Sequence, residues 1–116
     1  MFNPKVIGAD QKNTTSGSAK SLAVVTSPAR LYSVTAYNGS GGTLYLQVFD
    51  SSTVPADCGS PIYVVQIASQ VTGGFDWQDG IPMTAGVYVC WSTTDTTKTI
   101  VGANAGPIAA TFRKTI

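Results

Sequence analysis

Leu31-Tyr32-Ser33-Val34-Thr35-Ala36-Tyr37, then Asn38-Gly39-Ser40-Gly41-Gly42, then Thr43-Leu44-Tyr45-Leu46-Gln47-Val48-Phe49-Asp50 form two apolar and β-branched runs around a break made only of Asn, Ser and Gly. Runs of this kind, rich in Val, Thr and Tyr, read as strands. The break supplies residues tolerant of positive φ, as a tight antiparallel connection requires, so the two runs are expected to be hydrogen-bonded neighbours. Working outward, the same texture recurs at Leu22 to Thr26, Ile62 to Ala68, Gly74 to Trp77, Val87 to Ser92, Thr97 to Val101 and Ile108 to Arg113. Clusters of Gly, Pro, Asn and Asp separate the runs at intervals of about eight to twelve residues, the spacing of a sandwich or barrel. Asp57-Cys58-Gly59-Ser60-Pro61 and Asp79-Gly80-Ile81-Pro82 read as stops, since Pro lacks a donor and Gly weakens a strand interior. Ser51 to Ser60 is the longest connection without a strand. No stretch competes as a helix. The expected fold is all-β: an antiparallel β-sandwich, jelly-roll-like, with about eight short strands over residues 22–116. Residues 1–21 are polar, small and without period, and read as an extended N-terminal arm or a short preceding strand.

The chain has 116 residues, a length that builds one core rather than two. Only 11% of them are charged, against a usual share of about a quarter. Ser and Thr, about a fifth of the chain, take the place of the missing charge. There is no Glu and no His. That removes the usual general base near neutral pH, the commonest metal ligand and the imidazole partner of a Ser or Cys nucleophile. The composition therefore argues against an enzyme and against a bound cofactor. Net charge is +1, so no strong field steers the chain toward nucleic acid or anionic lipid. A mean hydropathy of +0.14 with so small a net charge leaves little repulsion against association. Such a surface suits a crowded assembly.

The segment Met1 to Gly8 lacks an apolar run behind a basic region, and no apolar stretch approaches the roughly 20 residues of a membrane-spanning helix. The expectation is a soluble protein made in the cytoplasm. Cys58, in a turn-rich segment, and Cys90, inside an apolar run, read as a free loop thiol and a buried small residue, with one bridge between them as the alternative. Asn13-Thr14-Thr15 and Asn38-Gly39-Ser40 match the glycosylation sequon, which has no meaning without export.

Side-chain parity points to partners. In Leu44 to Phe49, the set Leu44, Leu46 and Val48 makes one apolar face, while Tyr45 and Phe49 stand on the other. Val87, Val89 and Trp91 likewise oppose Tyr88 and Cys90, and Ile62 to Ile67 is apolar on both sides. Sandwich strands are ordinarily apolar inward and polar outward. Aromatics kept on outer faces, with few charges at strand edges, suggest contact with other subunits, and Tyr45, Phe49, Tyr63, Trp77 and Tyr88 are the candidate contact residues. Trp91, in mid-strand, reads as core.

Other constellations are weaker. Asp76 and Asp79 flank Trp77 and could form a carboxylate pair beside a sugar platform, yet Asp beside Gly is first of all a turn residue. Asp50-Ser51-Ser52-Thr53 with Asp57 offers oxygen ligands but lacks the alternating order of a calcium loop. Gly39 to Gly42 has no P-loop Lys, and Arg30, Arg113 and Lys114 lack interleaved aromatics for a nucleic-acid groove.

Arg30-Leu31-Tyr32-Ser33-Val34-Thr35-Ala36-Tyr37-Asn38, Leu44-Tyr45-Leu46-Gln47-Val48-Phe49-Asp50, Gly80-Ile81-Pro82 and Gly86-Val87-Tyr88-Val89-Cys90-Trp91-Ser92-Thr93-Thr94 together resemble small virion structural proteins of tailed bacteriophages, over residues 30–100. The resemblance implies a β-sandwich or jelly-roll-like domain placed on the head or the tail, with no catalytic residues. It further implies a capsid decoration or cement protein, located in the virion, that binds the major capsid protein or other virion subunits and its own copies as a homo-oligomer. Neither nucleic acid nor membrane is an expected partner. The N-terminal arm lies outside the resemblance. The other readings are a tail or fibre component that recognises host glycan through Trp77 with Asp76, Gln78 and Asp79, and a small carboxylate-dependent hydrolase.

Overall fold

The computed structural model describes residues 11–56, 59–99, 101 and 104–114. Eight strands follow one another: β1 (Gln11–Thr15), β2 (Ser21–Val25), β3 (Ala29–Asn38), β4 (Leu44–Phe49), β5 (Tyr63–Ile67), β6 (Val71–Met83), β7 (Val87–Ser92) and β8 (Ile108–Lys114). They make two four-stranded antiparallel sheets, ordered β1-β8-β3-β6 and β2-β7-β4-β5. The pairings are nested, β1 with β8, β2 with β7, β3 with β6 and β4 with β5. Successive nested pairs fall alternately in the two sheets, which is the winding of a jelly roll. The all-β sandwich expected from the texture of the runs is present.

Alternation along the strands builds the core. Leu44, Leu46 and Val48 of β4 and Val87, Val89 and Trp91 of β7 point between the sheets, with Leu31, Val34 and Ala36 of β3 and Ile108, Ala110 and Phe112 of β8 in the same apolar cluster. Leu31 and Val34 share a face although three residues apart, because β3 shifts register between Leu31 and Ser33 against both of its neighbours. A bulge of this kind reverses parity. Trp91 is fully buried, as its mid-strand position suggested, and its Nε1 donates to the Gly106 carbonyl at 3.2 Å. Burying a side chain of this class contributes about 3 kcal/mol or less, so the core rests on many such residues rather than on one.

Four expectations need correction. First, β3 and β4 are not hydrogen-bonded neighbours; they lie in different sheets. Asn38 to Gly42 is a corner that carries the chain from one sheet to the other, and none of its glycines has positive φ. The reason is Asn38, whose side chain is fully buried. Its Nδ2 donates to the carbonyls of Gly42 and Ile67, both at 2.9 Å, and its Oδ1 accepts from Ser40 N at 2.9 Å and Ser40 Oγ at 2.6 Å. One amide thus satisfies the backbone groups that a hairpin ladder would otherwise pair.

Second, of the two readings of residues 1–21, the described part shows the short preceding strand and not a free arm. Gln11–Thr15 adds to β8 as the outermost strand of the first sheet, and Ser16 N donates to Ile108 O at 2.9 Å. Third, Asp79-Gly80-Ile81-Pro82 does not end a strand. β6 runs for 13 residues through it, with residues 77–80 bulging out between the pairs Ser33↔Asp76 and Leu31↔Ile81. Gly80 takes φ 74° there, and Arg30 Nη1 donates to the carbonyls of Asp79 at 3.0 Å and Gly80 at 3.2 Å. Pro82 is tolerated because β6 is an edge strand. Fourth, Thr97, Lys98 and Thr99 belong to no strand. Lys98 N donates to Gly59 O at 2.8 Å, which folds the run across a sheet face instead of into the ladder.

Candidate functional site

The outer face of the second sheet carries Tyr45, Gln47 and Phe49 from β4 and Tyr88, Cys90 and Ser92 from β7, paired in the register Tyr45↔Ser92, Gln47↔Cys90 and Phe49↔Tyr88. This face is largely closed by the chain itself. Gln47, Cys90 and Ser92 are fully buried and Phe49 nearly so. The Gln47 amide donates to the carbonyls of Thr94 at 2.8 Å and Thr97 at 3.0 Å, and Lys98 Nζ donates to Pro55 O at 2.5 Å. The segments after β4 and after β7 therefore lie over the sheet and are tied to each other. Gly59 sits against the Phe49 ring: a Cβ added there would lie 3.8 Å from Cε2. Phe49 is consequently buried beneath these segments, and Tyr45 and Tyr88 are half-buried. Apolar residues on an outer face thus found cover within the same chain. Burial pushes the Cys90 thiol up to about 11, with Lys98 pulling weakly the other way. Cys90 is the buried residue its strand position suggested; Cys58 and Asp57 lie outside the described residues.

Tyr63 and Trp77, both named as candidate contact residues, meet along the β5 and β6 side of the sandwich. Tyr63 pairs with Val48 and so shares the inward parity of β4. Phe75 and Trp77 stack with centroids 5.1 Å apart and planes at 7°, and Tyr63 lies 5.1 Å from Trp77 and 5.9 Å from Phe75. Phe75 and Trp77 also pack on the core from its margin. Phe75 was missed as a member of this group, although its two-residue spacing from Trp77 was the available signal. Asp76, between them, faces the other side of β6, so Trp77 and Asp76 do not form one platform. Among the described residues no three His, Cys, Asp or Glu side chains gather in a way that could hold a metal ion.

Asp50, considered above as an oxygen ligand, is a turn clamp. Its Oδ1 accepts from Ala85 N at 2.8 Å and Gly86 N at 3.3 Å, and its Oδ2 from Thr84 N and Thr84 Oγ1, both at 3.0 Å. Burial alone would raise its pKa, but the three backbone donors and the Thr84 hydroxyl outweigh that and hold it below the ordinary 3.8. A carboxyl with a depressed folded-state pKa adds stability above its unfolded value and loses it as pH falls through the folded one. Asp50→Ala should lower the stability at neutral pH by about 1–2 kcal/mol. The gap to the unsubstituted chain should narrow below about pH 4. Thermal melts across that range check it, and a gap undiminished in acid would mean that the charge contributes nothing.

The outer face of the first sheet is the open one. Thr35 and Thr72 are exposed, and Asn13 on β1 accepts from Thr111 Oγ1 on β8 at 2.7 Å. No family model, curated protein or solved structure matches the chain. Surface chemistry is therefore what separates the functional readings. Two surfaces stand out: this hydroxyl-bearing face, and the β5 margin, where Tyr63 is 38% exposed and Ile62 48%.

Proposed function

We propose that this chain is a bacteriophage virion structural protein, a decoration or cement subunit that stabilises an assembled head by binding the major capsid protein and its own copies. The observation that carries the reading is the β5 margin. β5 ends the second sheet and has no charged residue over Tyr63–Ile67, whereas sheets that remain alone blunt their edges with Lys, Pro or bulges. Val54 and Ile62, in the connection leading into β5, are exposed apolar residues. Exposed apolar residues beside an uncharged strand edge, on a chain with few ions, fit protein contact at little desolvation penalty. Jelly-roll domains serve in virion shells and in lectins alike, so the fold is compatible with this role without deciding it.

The test adds purified chain to assembled heads of a tailed phage that lack it. The expected result is saturable binding and greater resistance of the shell to heat. Ile62→Asp, at an exposed position outside the core, should weaken that binding by about tenfold or more. A chain that remains monomeric at high concentration and binds no head would overturn the reading.

A further inference from the structure

Asn38-Gly39 is the sole Asn-Gly pair in the chain. In an unfolded chain such a pair is reactive: the nitrogen of the following residue attacks the side-chain amide carbon, ammonia leaves, and the cyclic imide that forms takes up water to give aspartate or isoaspartate. Glycine favours the step because it has no side chain to stand in the way and lets the backbone turn. In the folded chain both reacting groups are pinned. The Asn38 amide is fully buried, with its N–H groups given to the carbonyls of Gly42 and Ile67 and its oxygen taken by Ser40. The peptide unit that carries the attacking nitrogen is held from both sides as well, since Gly39 N donates to Ala105 O and Gln70 N donates to Asn38 O, each at 2.7 Å. Turning that nitrogen onto the amide carbon means breaking both bonds.

We infer that Asn38 is a spontaneous deamidation site that the folded corner keeps shut and that unfolding opens, so that prolonged unfolding of this chain is irreversible. Gly39 N bonds to Asn38 Cγ and gives up its proton, the Cγ–Nδ2 bond breaks, and ammonia carries that proton away; water then opens either side of the imide. The step consumes only water. Neither product fits the corner it came from. Aspartate presents an acceptor where Gly42 O and Ile67 O require donors. Isoaspartate lengthens the main chain just before Gly39 N, against which a Cβ on Gly106 would already lie 3.2 Å away. The other described asparagines, Asn13 and Asn104, precede Thr14 and Ala105, whose side chains hinder the attack. The inference concerns a corner of the fold and not the β5 margin, so it goes beyond the virion reading and does not rest on it.

The experiment holds the full chain with a reductant at mildly alkaline pH, one portion native and one in guanidinium chloride, and samples both over days. Mass spectrometry of the digested chain reads the fraction modified at Asn38, and dilution out of denaturant reads the fraction that refolds. The native portion should be modified more slowly by about a hundredfold or more. In the denatured portion the refolding yield should fall in step with modification, and the refolded fraction should hold unmodified Asn38. Gly39→Ala should slow modification of the denatured chain several-fold and preserve its refolding yield; the first of these is read in denaturant, so it does not depend on how well the variant folds. Three results would overturn the inference: similar rates in the native and denatured portions, aspartate or isoaspartate at residue 38 within the refolded fraction, or modification as fast in Gly39→Ala as in the parent.

Discussion

Gly106→Val should leave the chain without a stable folded state. A Cβ on residue 106 would lie 1.8 Å from the Tyr37 carbonyl oxygen and 3.0 Å from its carbon, and 3.2 Å from Gly39 N. All three are backbone atoms of β3 and the corner after it, so no side chain can move aside. The same residue fastens three parts of the sandwich together. Its carbonyl accepts from Ala19 N and from Trp91 Nε1, both at 3.2 Å. Any shift of residue 106 that relieves the clash therefore pulls on the buried Trp91 and on the crossing from β1 to β2. We expect a loss above about 4 kcal/mol, a large part of the 5–15 kcal/mol that holds a domain together. Gly41→Ala is the control, because nothing lies within 4 Å of a Cβ there. Soluble yield and thermal denaturation of both variants check the prediction. A Gly106→Val chain that melts cooperatively near the parent temperature would refute the close approach.

Asn38→Asp should be nearly as damaging, and its damage should depend on pH. The exchange turns a donor into an acceptor facing the carbonyls of Gly42 and Ile67, in a side chain that is fully buried. Two hydrogen bonds are replaced by two repulsions, and ionisation would place an unpaired charge in the interior. The expected loss is about 3–5 kcal/mol at neutral pH. Burial and facing carbonyls raise the pKa of the introduced carboxyl above its unfolded value of about 3.9. The deficit should then be smallest in acid and grow as pH rises past that value. Denaturant melts at several pH values check this, and a deficit independent of pH would remove the buried-carboxyl account. The burial also keeps the Asn38 amide out of reach of any modifying enzyme while the chain is folded, sequon or not.

Local texture told where most of the strands lie and which residues of β4 and β7 face inward. Val87–Ser92 and the inward set Leu44, Leu46 and Val48 follow from alternation, because period two is a property of a single strand. Which strands pair was not legible, since a glycine-rich hairpin and a glycine-rich corner have the same composition. What separates them is the fate of one side chain, Asn38, whose partner Ile67 lies 29 residues away. Long-range partners of this kind leave no local pattern. The outer face of the second sheet misled for a similar reason. Phe49 looks like a residue awaiting another protein until Lys98 is seen bonding back to Pro55 and Gly59. Tyr63 and Trp77 were legible as apolar and not as neighbours, because they come from different sheets.

The nested pairing also sets an order on synthesis. β8 lies between β1 and β3, so two of the three ladders in the first sheet wait for residues 108–114 to leave the ribosome. The second sheet, β2-β7-β4-β5, has all of its strands by Ser92. A nascent chain halted between β7 and β8 thus holds one complete sheet whose inner surface of Leu46, Val48 and Val89 faces only an isolated β3–β6 ribbon, and chaperone capture should concentrate in that interval.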